Sequence, residues 1–214
     1  MKITIDPDRP NPRVLRQVVD ILKAGGVIAY PTDTIYGLGC DIFQKRAVER
    51  VYQIKGKDRR KSLSFICSSL KDISRYAEVS DHSYRLMKRI FPGPYTVILQ
   101  ASKLVPRVML NNNARTVGIR IPDHSIPIQL VEMLGNPIIT TSIPTLPDLH
   151  YNDPNEIERR LEGRIEVLID SGLLHPEPST ILDLTEDIPR LLRRGKGEID
   201  HLGVIEIDDD ISEF

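Results

Sequence analysis

Tryptophan is absent from this chain, and cysteine occurs only twice, as Cys40 and Cys67. The two cysteines could pair, but nothing in the sequence indicates that they do, so reduced cytosolic thiols are the better expectation. No apolar run approaches the roughly 18 residues that a membrane span needs, and the first residues, Met-Lys-Ile-Thr-Ile-Asp, contain no apolar secretory segment. These absences predict a cytoplasmic protein that has no membrane partner.

A large excess of either charge is also missing. Lysine and arginine total 29, aspartate and glutamate total 30, and the net charge is −1. A uniformly basic nucleic-acid-binding protein is therefore excluded, and any contact with RNA must come from a local patch. The length of 214 residues suits one domain with a real core. A chain of this size buries roughly 70% of its unfolded surface.

Signatures of several enzyme classes are absent as well. The chain has no P-loop, no complete dinucleotide-binding fingerprint, no Gly-x-Ser-x-Gly nucleophile elbow and no His-Glu-x-x-His zinc helix. The five histidines are scattered, which argues against a metal site and against a cysteine–histidine nucleophile pair. We therefore predict no covalent or acid–base catalytic residue and no metal-ligand set. Any chemistry should depend on positioning and charge stabilisation.

Apolar periodicity predicts an α/β fold. Helical spacing at 12–23 and 45–55 alternates with short apolar strands at 27–30, 62–67 and 116–121. The late strands follow one another with little helix between them, so we expect a mixed sheet rather than a purely parallel one. No internal repeat or low-complexity linker interrupts the pattern, and a single domain is the simplest interpretation.

Two neighbouring stretches carry candidate binding residues. After the strand at 27–30 comes Thr-Asp-Thr-Ile-Tyr-Gly, where Thr34 lies among hydroxyls, a carboxylate and a glycine that suggest a polar binding edge. A cationic cluster follows, and such a cluster suits an anion such as a phosphate. A solvated helix end, whose cations offset the helix dipole, is the alternative. The cluster consists of Lys55, Lys57, Arg59, Arg60 and Lys61.

Other polar candidates lie in or beside later strands. Arg120 interrupts an otherwise apolar strand, where a structural salt bridge and a ligand contact remain alternatives. Ser142 closes a Thr-Thr-Ser run at a strand end, where ligands bind in α/β sheets, although an ordinary Ser/Thr turn would look the same. Ser179 and Arg193 are weaker signals of the same kind.

Seven segments taken together resemble the YrdC-like family, whose well-characterised members are threonylcarbamoyl-AMP synthases. The most specific are Tyr-Pro-Thr-Asp-Thr-Ile-Tyr-Gly-Leu-Gly at 30–39 and Val-Gly-Ile-Arg-Ile-Pro-Asp-His at 117–124. The resemblance covers residues 5–203 as one YrdC-like domain. An acidic C-terminal tail, 204–214, should be solvated or loosely docked. The other segments are Lys-Gly-Lys at 55–57, Phe-Pro-Gly-Pro-Tyr-Thr at 91–96, Thr-Ser at 141–142, Ser-Thr-Ile-Leu-Asp-Leu-Thr at 179–185 and Leu-Leu-Arg-x-Gly at 191–195.

The resemblance implies a fold and a reaction. The expected fold is a twisted mixed sheet with helices on both faces around a concave, positive cavity. The expected reaction condenses L-threonine, bicarbonate and ATP to threonylcarbamoyl-AMP and pyrophosphate, and the product feeds threonylcarbamoyladenosine formation in tRNA. ATP would be a substrate, accompanied by Mg²⁺. Two anions meet in this reaction and cations must screen them, so no side-chain nucleophile is needed.

The same resemblance assigns roles to the candidate residues. Thr34, Arg120 and Ser179 are expected to bind L-threonine. Arg120 should contact either the carboxylate of threonine or the phosphate region. The expected ATP-binding residues are Lys55, Lys57, Ser142 and Arg193. An anion or RNA patch is expected at Arg59, Arg60 and Lys61.

Four positions depart from the family pattern. Lys57 and Ser62 stand where arginine and proline are usual, while Ile66 and Pro144 align with a histidine and an asparagine. A lysine holds phosphate as a point charge but lacks the bidentate fork of arginine. Losing a buried hydrogen-bonding group costs about 1–3 kcal/mol. These changes resemble the YciO-like branch of the family. They favour the expectation of nucleotide binding over that of efficient synthase activity.

Two alternative functions stay open. The first is a double-stranded RNA-binding or ribosome-associated protein, with tRNA as another possible partner, that binds nucleotide but has weak or no synthase activity. The second is a related ATP-dependent carbamoylating or adenylating enzyme with a different acceptor, suggested by the apolar Ile66. Pyrophosphate release that requires both threonine and bicarbonate would favour the synthase, whereas salt-sensitive RNA binding would favour the first alternative.

Overall fold

A computed structural model describes residues 1–56, 63–110, 115–143, 152–175 and 177–206. Within these ranges, six α-helices are interspersed among eleven short strands. The helices are α1 (Pro12–Lys23), α2 (Lys45–Lys55), α3 (Leu70–Tyr76), α4 (Asp81–Ile90), α5 (Ser125–Leu134) and α6 (Pro154–Leu161). The strands are β1 (Lys2–Thr4), β2 (Ile28–Tyr30), β3 (Gly37–Gly39), β4 (Ser64–Ile66), β5 (Tyr95–Gln100), β6 (Thr116–Arg120), β7 (Ile138–Ser142), β8 (Val167–Asp170), β9 (Thr180–Asp183), β10 (Arg190–Arg193) and β11 (Ile205–Glu206).

All these strands belong to one mixed sheet, in the order β1-β8-β2-β3-β7-β4-β6-β5-β9-β10-β11. Parallel pairs such as β4 with β6 stand beside antiparallel pairs such as β5 with β6. The predicted mixed sheet is confirmed. The short connection between β9 and β10 is one reason, because it allows only an antiparallel pair.

Apolar side chains fill both faces of this sheet. α1 and α5 cover one face, where Leu15 and Leu130 pack in a cluster that includes Ile66. α2, α3, α4 and α6 contribute to a larger cluster on the other face, to which Phe65 belongs. Neighbouring residues of one strand thus fall into different clusters, because strand side chains alternate between faces. Helices on both faces of the sheet, as expected, are confirmed.

Helix starts follow the capping chemistry of the sequence. Asn11 caps α1 by accepting from the Arg13 N–H at 3.0 Å, and Pro12 occupies the first helical position. α1 and α2 match the predicted ranges 12–23 and 45–55. The strands are confirmed within one or two residues, and the first part of the predicted strand at 62–67 lies outside the described residues.

The β3 strand was not predicted, because its sequence, Gly-Leu-Gly, has low strand propensity. Close packing explains the glycines. A Cβ on Gly39 would lie 2.1 Å from the Ile139 carbonyl oxygen and 2.8 Å from Cε1 of Tyr30. The buried hydroxyl of Tyr30 donates to that same carbonyl at 2.8 Å. Only glycine lets the tyrosine ring and the neighbouring strand approach β3 this closely.

The described part of the predicted acidic tail, residues 204–206, includes a short strand at the edge of the sheet. Ile205–Glu206 forms β11, which runs parallel to β10 with Arg190 opposite Ile205. Both residues of β11 are exposed. The remaining positions of the tail, 207–214, lie outside the described residues. No helix among the described residues has the length and apolar character to cross a membrane.

Candidate functional site

A buried polar cluster joins the loop after β2 to the end of β6. Arg120 Nη2 donates to Asp33 Oδ1 at 2.9 Å and to Thr34 Oγ1 at 3.0 Å. Thr34 Oγ1 also lies 3.0 Å from the hydroxyl of Thr32, which donates to the carbonyl of Ile35 at 2.7 Å. Thr32, Thr34 and Arg120 are each at most 6% exposed. The structure thus brings together two of the three residues predicted to bind threonine.

Asp33 holds this loop in place through three oxygen atoms. Oδ1 accepts from Arg120, Oδ2 accepts from the backbone N–H of Asp123 at 3.1 Å, and the carbonyl accepts from Lys196 Nζ at 2.5 Å. These donors come from β6, from the β6–α5 loop and from the turn after β10. Sequence reasoning did not select Asp33 as a site residue. The available signal was Arg120, because an arginine in an apolar strand needs an anionic partner.

The guanidinium of Arg120 is buried, and not all of its donors are used. In its ion pair with Asp33, the two side chains are 7% and 8% exposed. Burial lowers the pKa of Arg120, and the Asp33 carboxylate opposes that shift. Arg120 Nε is buried and has no hydrogen-bond partner among the described residues. The structural salt bridge is therefore confirmed. The ligand contact stays a prediction, and the unpartnered Nε is consistent with it, because buried donors are normally satisfied.

Ser179 and Arg193 form a second half of the site beside β9 and β10. Ser179 Oγ lies 2.8 Å from the hydroxyl of Thr96 on β5, and Arg193 Nη2 donates to the Ser179 carbonyl at 2.8 Å. The pKa of Arg193 is lowered, first by burial and then by the charge of Arg120. The positive charge of Arg120 therefore acts on Arg193 across the site.

A glycine and several residues with hydroxyl side chains lie on the sheet next to these two halves of the site. Ser64 is in register with Gly118 of β6 and with Thr140 of β7. A Cβ on Gly118 would lie 2.2 Å from Ser64 Oγ, so the glycine makes space for that hydroxyl. Ser142, predicted to contact ATP, is exposed at the end of β7 and shares a face with Thr140. Arg120 lies on this same face, two residues beyond Gly118.

The first turn of α5 borders the Asp33 loop. His124 caps this helix, since its Nδ1 accepts from the Ile126 N–H at 3.3 Å. Burial lowers the pKa of His124, while the carboxylates of Asp33 and Asp123 act in the opposite direction. A neutral imidazole is consequently favoured here near neutral pH.

Much of the predicted phosphate site lies outside the described residues. Lys55 is described, and it ends α2 with a half-buried side chain. The ATP-phosphate site around Lys55 and the RNA patch therefore stay predictions. The candidate residues and altered positions outside the described ranges are Lys57, Arg59, Arg60, Lys61, Ser62 and Pro144.

The interpretation of Ile66 as an apolar lining of the acceptor pocket needs correction. Ile66 is 0% exposed and belongs to the core cluster that contains Tyr30 and Ile126. Its Cα is in register with Arg120 and its side chain lies on the same face of the sheet, where it packs in the cluster to which α1 and α5 contribute. The side chain therefore presents no surface to a ligand, and it gives no support to a different acceptor.

The part of the chain that the structure describes contains no cluster of side chains that could bind a metal ion by itself. No group of three or more histidine, cysteine, aspartate or glutamate side chains there is arranged to hold one. Mg²⁺ bound with ATP takes most of its ligands from phosphates and water, so it needs no such group. Magnesium remains a prediction that depends on ATP binding.

The family model named Sua5_yciO_yrdC, described as telomere recombination, matches residues 20–195. This range includes both halves of the polar site, with Thr34 and Arg120 in one half and Ser179 and Arg193 in the other. The chain belongs to the Sua5/YciO/YrdC family. Its motif resemblance is thereby confirmed.

One similar member of the Sua5/YciO/YrdC family matches nearly the whole chain. The uncharacterized protein YciO of Escherichia coli is 41% identical over 197 residues, which covers 91% of this chain and 95% of the relative. The crystal structure of E. coli YciO has a TM-score of 0.89 at 39% identity, covering 94% of this chain and 98% of that one. The single mixed α/β domain is therefore shared with YciO.

Threonylcarbamoyl-AMP synthases of the family are also similar. The synthase of Vibrio vulnificus is 32% identical over 186 residues, covering 85% of this chain and 98% of the relative. The crystal structure of Pyrococcus abyssi Sua5 complexed with L-threonine has a TM-score of 0.84 at 31% identity, covering 91% of this chain and 57% of that one. The family thus includes threonylcarbamoyl-AMP synthases, and one similar structure holds threonine.

Proposed function

We propose that this protein is a threonylcarbamoyl-AMP synthase that converts L-threonine, bicarbonate and ATP to threonylcarbamoyl-AMP and pyrophosphate. The product would serve the formation of threonylcarbamoyladenosine in tRNA. The synthase relatives support this reaction, as does the similarity to Sua5 in complex with L-threonine. Lys57 and Pro144 replace an arginine and an asparagine, so we expect slower turnover than in synthases that keep both.

One observation carries the proposal: Arg120 is buried in contact with Thr34, and its Nε has no partner among the described residues. An oxygen of a carboxylate or phosphate is the strongest acceptor for such a donor. A threonine carboxylate beside Arg120 would also lie within reach of the Thr34 hydroxyl. The buried pair with Asp33 would keep the guanidinium in the orientation that this contact requires.

The proposed chemistry suits a site built from cations and hydroxyls. The threonine amine and bicarbonate form a carbamate with loss of water. A carbamate oxygen then attacks the α-phosphorus of ATP, and the bond from that phosphorus to the bridging oxygen breaks as pyrophosphate leaves. Arg120 and Arg193 would reduce the repulsion between the carbamate and the phosphates. Mg²⁺ would neutralise further phosphate charge.

Pyrophosphate release from ATP tests this proposal. The purified protein is incubated with ATP and magnesium chloride, and L-threonine and bicarbonate are omitted in turn. We expect release to require both. If the folded protein releases no pyrophosphate, or releases it at the same rate when L-threonine or bicarbonate is omitted, it is not the proposed synthase.

A matched pair of variants connects the activity to the site. Arg120→Met removes the buried charge and should lower the rate by about 10²-fold or more. Arg13→Met removes an exposed arginine on the surface of α1 and should leave the rate unchanged. Circular dichroism and thermal unfolding show whether each variant is folded. Equal rates for both folded variants would remove Arg120 from the proposed mechanism.

The same assay also separates the alternatives. Bicarbonate-dependent release that prefers another amino acid over threonine would indicate a related enzyme with a different acceptor. Binding of duplex RNA that weakens as salt rises, together with no threonine-dependent release, would indicate the RNA-binding alternative. That alternative rests on Arg59, Arg60 and Lys61, which lie outside the described residues.

A further inference from the structure

Lys196 connects the two halves of the site. Its Nζ donates to the carbonyl of Asp33 at 2.5 Å, although the two residues are 163 positions apart in the chain. Asp33 belongs to the loop that carries Thr34, whereas Lys196 follows β10, three residues after Arg193. The lysine side chain therefore extends from the Arg193 side of the site to the Thr34 side.

The backbone that carries Lys196 is anchored firmly to β9. The Lys196 N–H donates to the carbonyl of Pro178 at 2.9 Å. Thr180 Oγ1 accepts from the Gly195 N–H at 3.1 Å and donates to the Gly197 carbonyl at 2.7 Å. The turn around Lys196 is thus held on both sides, and only the exposed side chain can change direction without breaking these bonds.

The charge of Lys196 is not matched by a carboxylate. Its hydrogen bond goes to a neutral backbone oxygen. Among the described residues, no carboxylate oxygen lies within 4.0 Å of its ammonium nitrogen, so it forms no ion pair. The nearby carboxylate of Asp33 is already paired with Arg120. Arg193 similarly bonds the carbonyl of Ser179 rather than an acid. Arg193 and Lys196 therefore leave positive charge at this side of the site.

We propose that Lys196 is a further ligand-binding residue, whose ammonium binds an anionic oxygen of the substrates between Asp33 and Arg193. This inference rests on the proposed function, because it takes the ligand to be the nucleotide phosphates or the carboxylate of the amino acid. In the structure the ammonium bonds the Asp33 carbonyl. Ligand binding exchanges that neutral acceptor for an anionic one, which is the stronger partner for a lysine.

Isothermal titration calorimetry of three variants tests the proposal. Lys196→Gln removes the charge and keeps an uncharged donor on a side chain that is one bond shorter, and Lys196→Arg keeps the charge. Lys103→Gln removes an exposed lysine elsewhere and serves as the control. ATP, inorganic pyrophosphate and L-threonine are titrated separately, so that phosphate and carboxylate contacts are distinguished.

We expect Lys196→Gln to weaken binding of at least one of these anions by about tenfold to a hundredfold. Lys196→Arg should stay within about threefold of the wild type, since it retains the charge. The salt dependence of the dissociation constant should decrease in Lys196→Gln alone. Lys103→Gln should match the wild type in every titration.

Three results would overturn one or both of these claims. If the wild type binds the ligands and Lys196→Gln binds them equally well, Lys196 is not a ligand-binding residue, while the proposed function stands. If the wild type binds none of the three, the proposed function fails together with this inference. A loss of affinity in Lys196→Gln that is accompanied by equal loss in Lys196→Arg would identify a purely structural role and reject the proposal.

Discussion

Asp33 contacts three separate segments of the chain, and Arg120 depends on it for charge compensation. Removing one member of a buried ion pair leaves the other charge buried and uncompensated. We therefore expect Asp33→Asn to lower the free energy of unfolding by about 3–5 kcal/mol, measured by chemical denaturation at neutral pH. Asp123→Asn is the matched control, because only the backbone of Asp123 bonds Asp33, and it should change stability by less than about 0.5 kcal/mol.

A double variant separates the ion pair from other effects of the substitution. Combining Asp33→Asn with Arg120→Met removes the stranded charge, so the double variant should be more stable than Asp33→Asn alone. Strictly additive losses in this cycle would show that the two side chains are not coupled, which contradicts the pairing at 2.9 Å.

His124 provides a pH-dependent prediction. Its folded-state pKa lies below the ordinary value near 6.5, chiefly because of burial, so the unfolded chain binds more protons around and below that pH. Stability should consequently fall as the pH decreases through about 6.5 towards 5. His124→Asn keeps an oxygen that can cap α5 and should lose less stability than the wild type over this range.

Denaturation curves at several pH values measure this difference. The other titrating groups are common to both proteins, so they largely cancel in the comparison. The same loss of stability in both proteins on acidification would show that His124 does not titrate in the expected direction.

Sequence patterns predicted individual site residues better than their partners. Arg120 could be recognised because a charged side chain among apolar strand residues needs an oppositely charged partner. In the structure that partner is Asp33. The partner itself could not be read from the sequence, because 87 residues separate the two. Lys196 was missed for a related reason: an exposed lysine in a turn is common, and only the fold places it beside Asp33.

At the scale of strands, glycines decide how closely neighbouring segments can pack. Gly39→Ala would place a Cβ against the backbone carbonyl of Ile139, which cannot rotate away. Gly118→Ala would meet the side chain of Ser64, which can adopt another rotamer. We expect both variants to be destabilised, by about 1–3 kcal/mol for Gly118→Ala and by more for Gly39→Ala. Urea denaturation of both variants measures their loss in free energy of unfolding and shows which loss is larger.

Ser64→Gly provides the control for this ranking. Adding it to Gly118→Ala removes the clashing side chain and should recover part of the lost stability. It should not rescue Gly39→Ala, whose clash is with β7. A larger loss for Gly118→Ala than for Gly39→Ala would contradict the close packing of Gly39 against the Ile139 carbonyl.

Elements with strong local signals were predicted from the sequence, and those without them were not. α2 was predicted over its full range, because apolar spacing defines it from Lys45 to Lys55. β3 was not predicted because its Gly-Leu-Gly sequence has low strand propensity, and β11 has only two residues, which is too short for any periodicity. Such strands exist because neighbouring strands offer backbone partners, and that information lies in the tertiary fold.

In the whole molecule, the sheet order assembles a site from distant parts of the chain. β6, β5 and β9 are neighbours in the sheet, so Arg120 and Ser179 come close although many residues separate them. The loop after β2 approaches the same face and brings Thr34 to Arg120. The α/β class and the mixed sheet could be predicted from alternation, whereas the strand order required the structure. Family membership supports the same arrangement, because YciO and Sua5 share the fold.

Formation of a labelled adenylate is the most direct test of the central claim. The protein is incubated with ATP, magnesium chloride, L-threonine and isotopically labelled bicarbonate, and the nucleotides are separated and identified by mass spectrometry. We predict a labelled threonylcarbamoyl-AMP that is absent without threonine and strongly reduced in Arg120→Met. If the folded wild-type protein binds ATP and threonine but forms no labelled adenylate, the protein is not a threonylcarbamoyl-AMP synthase.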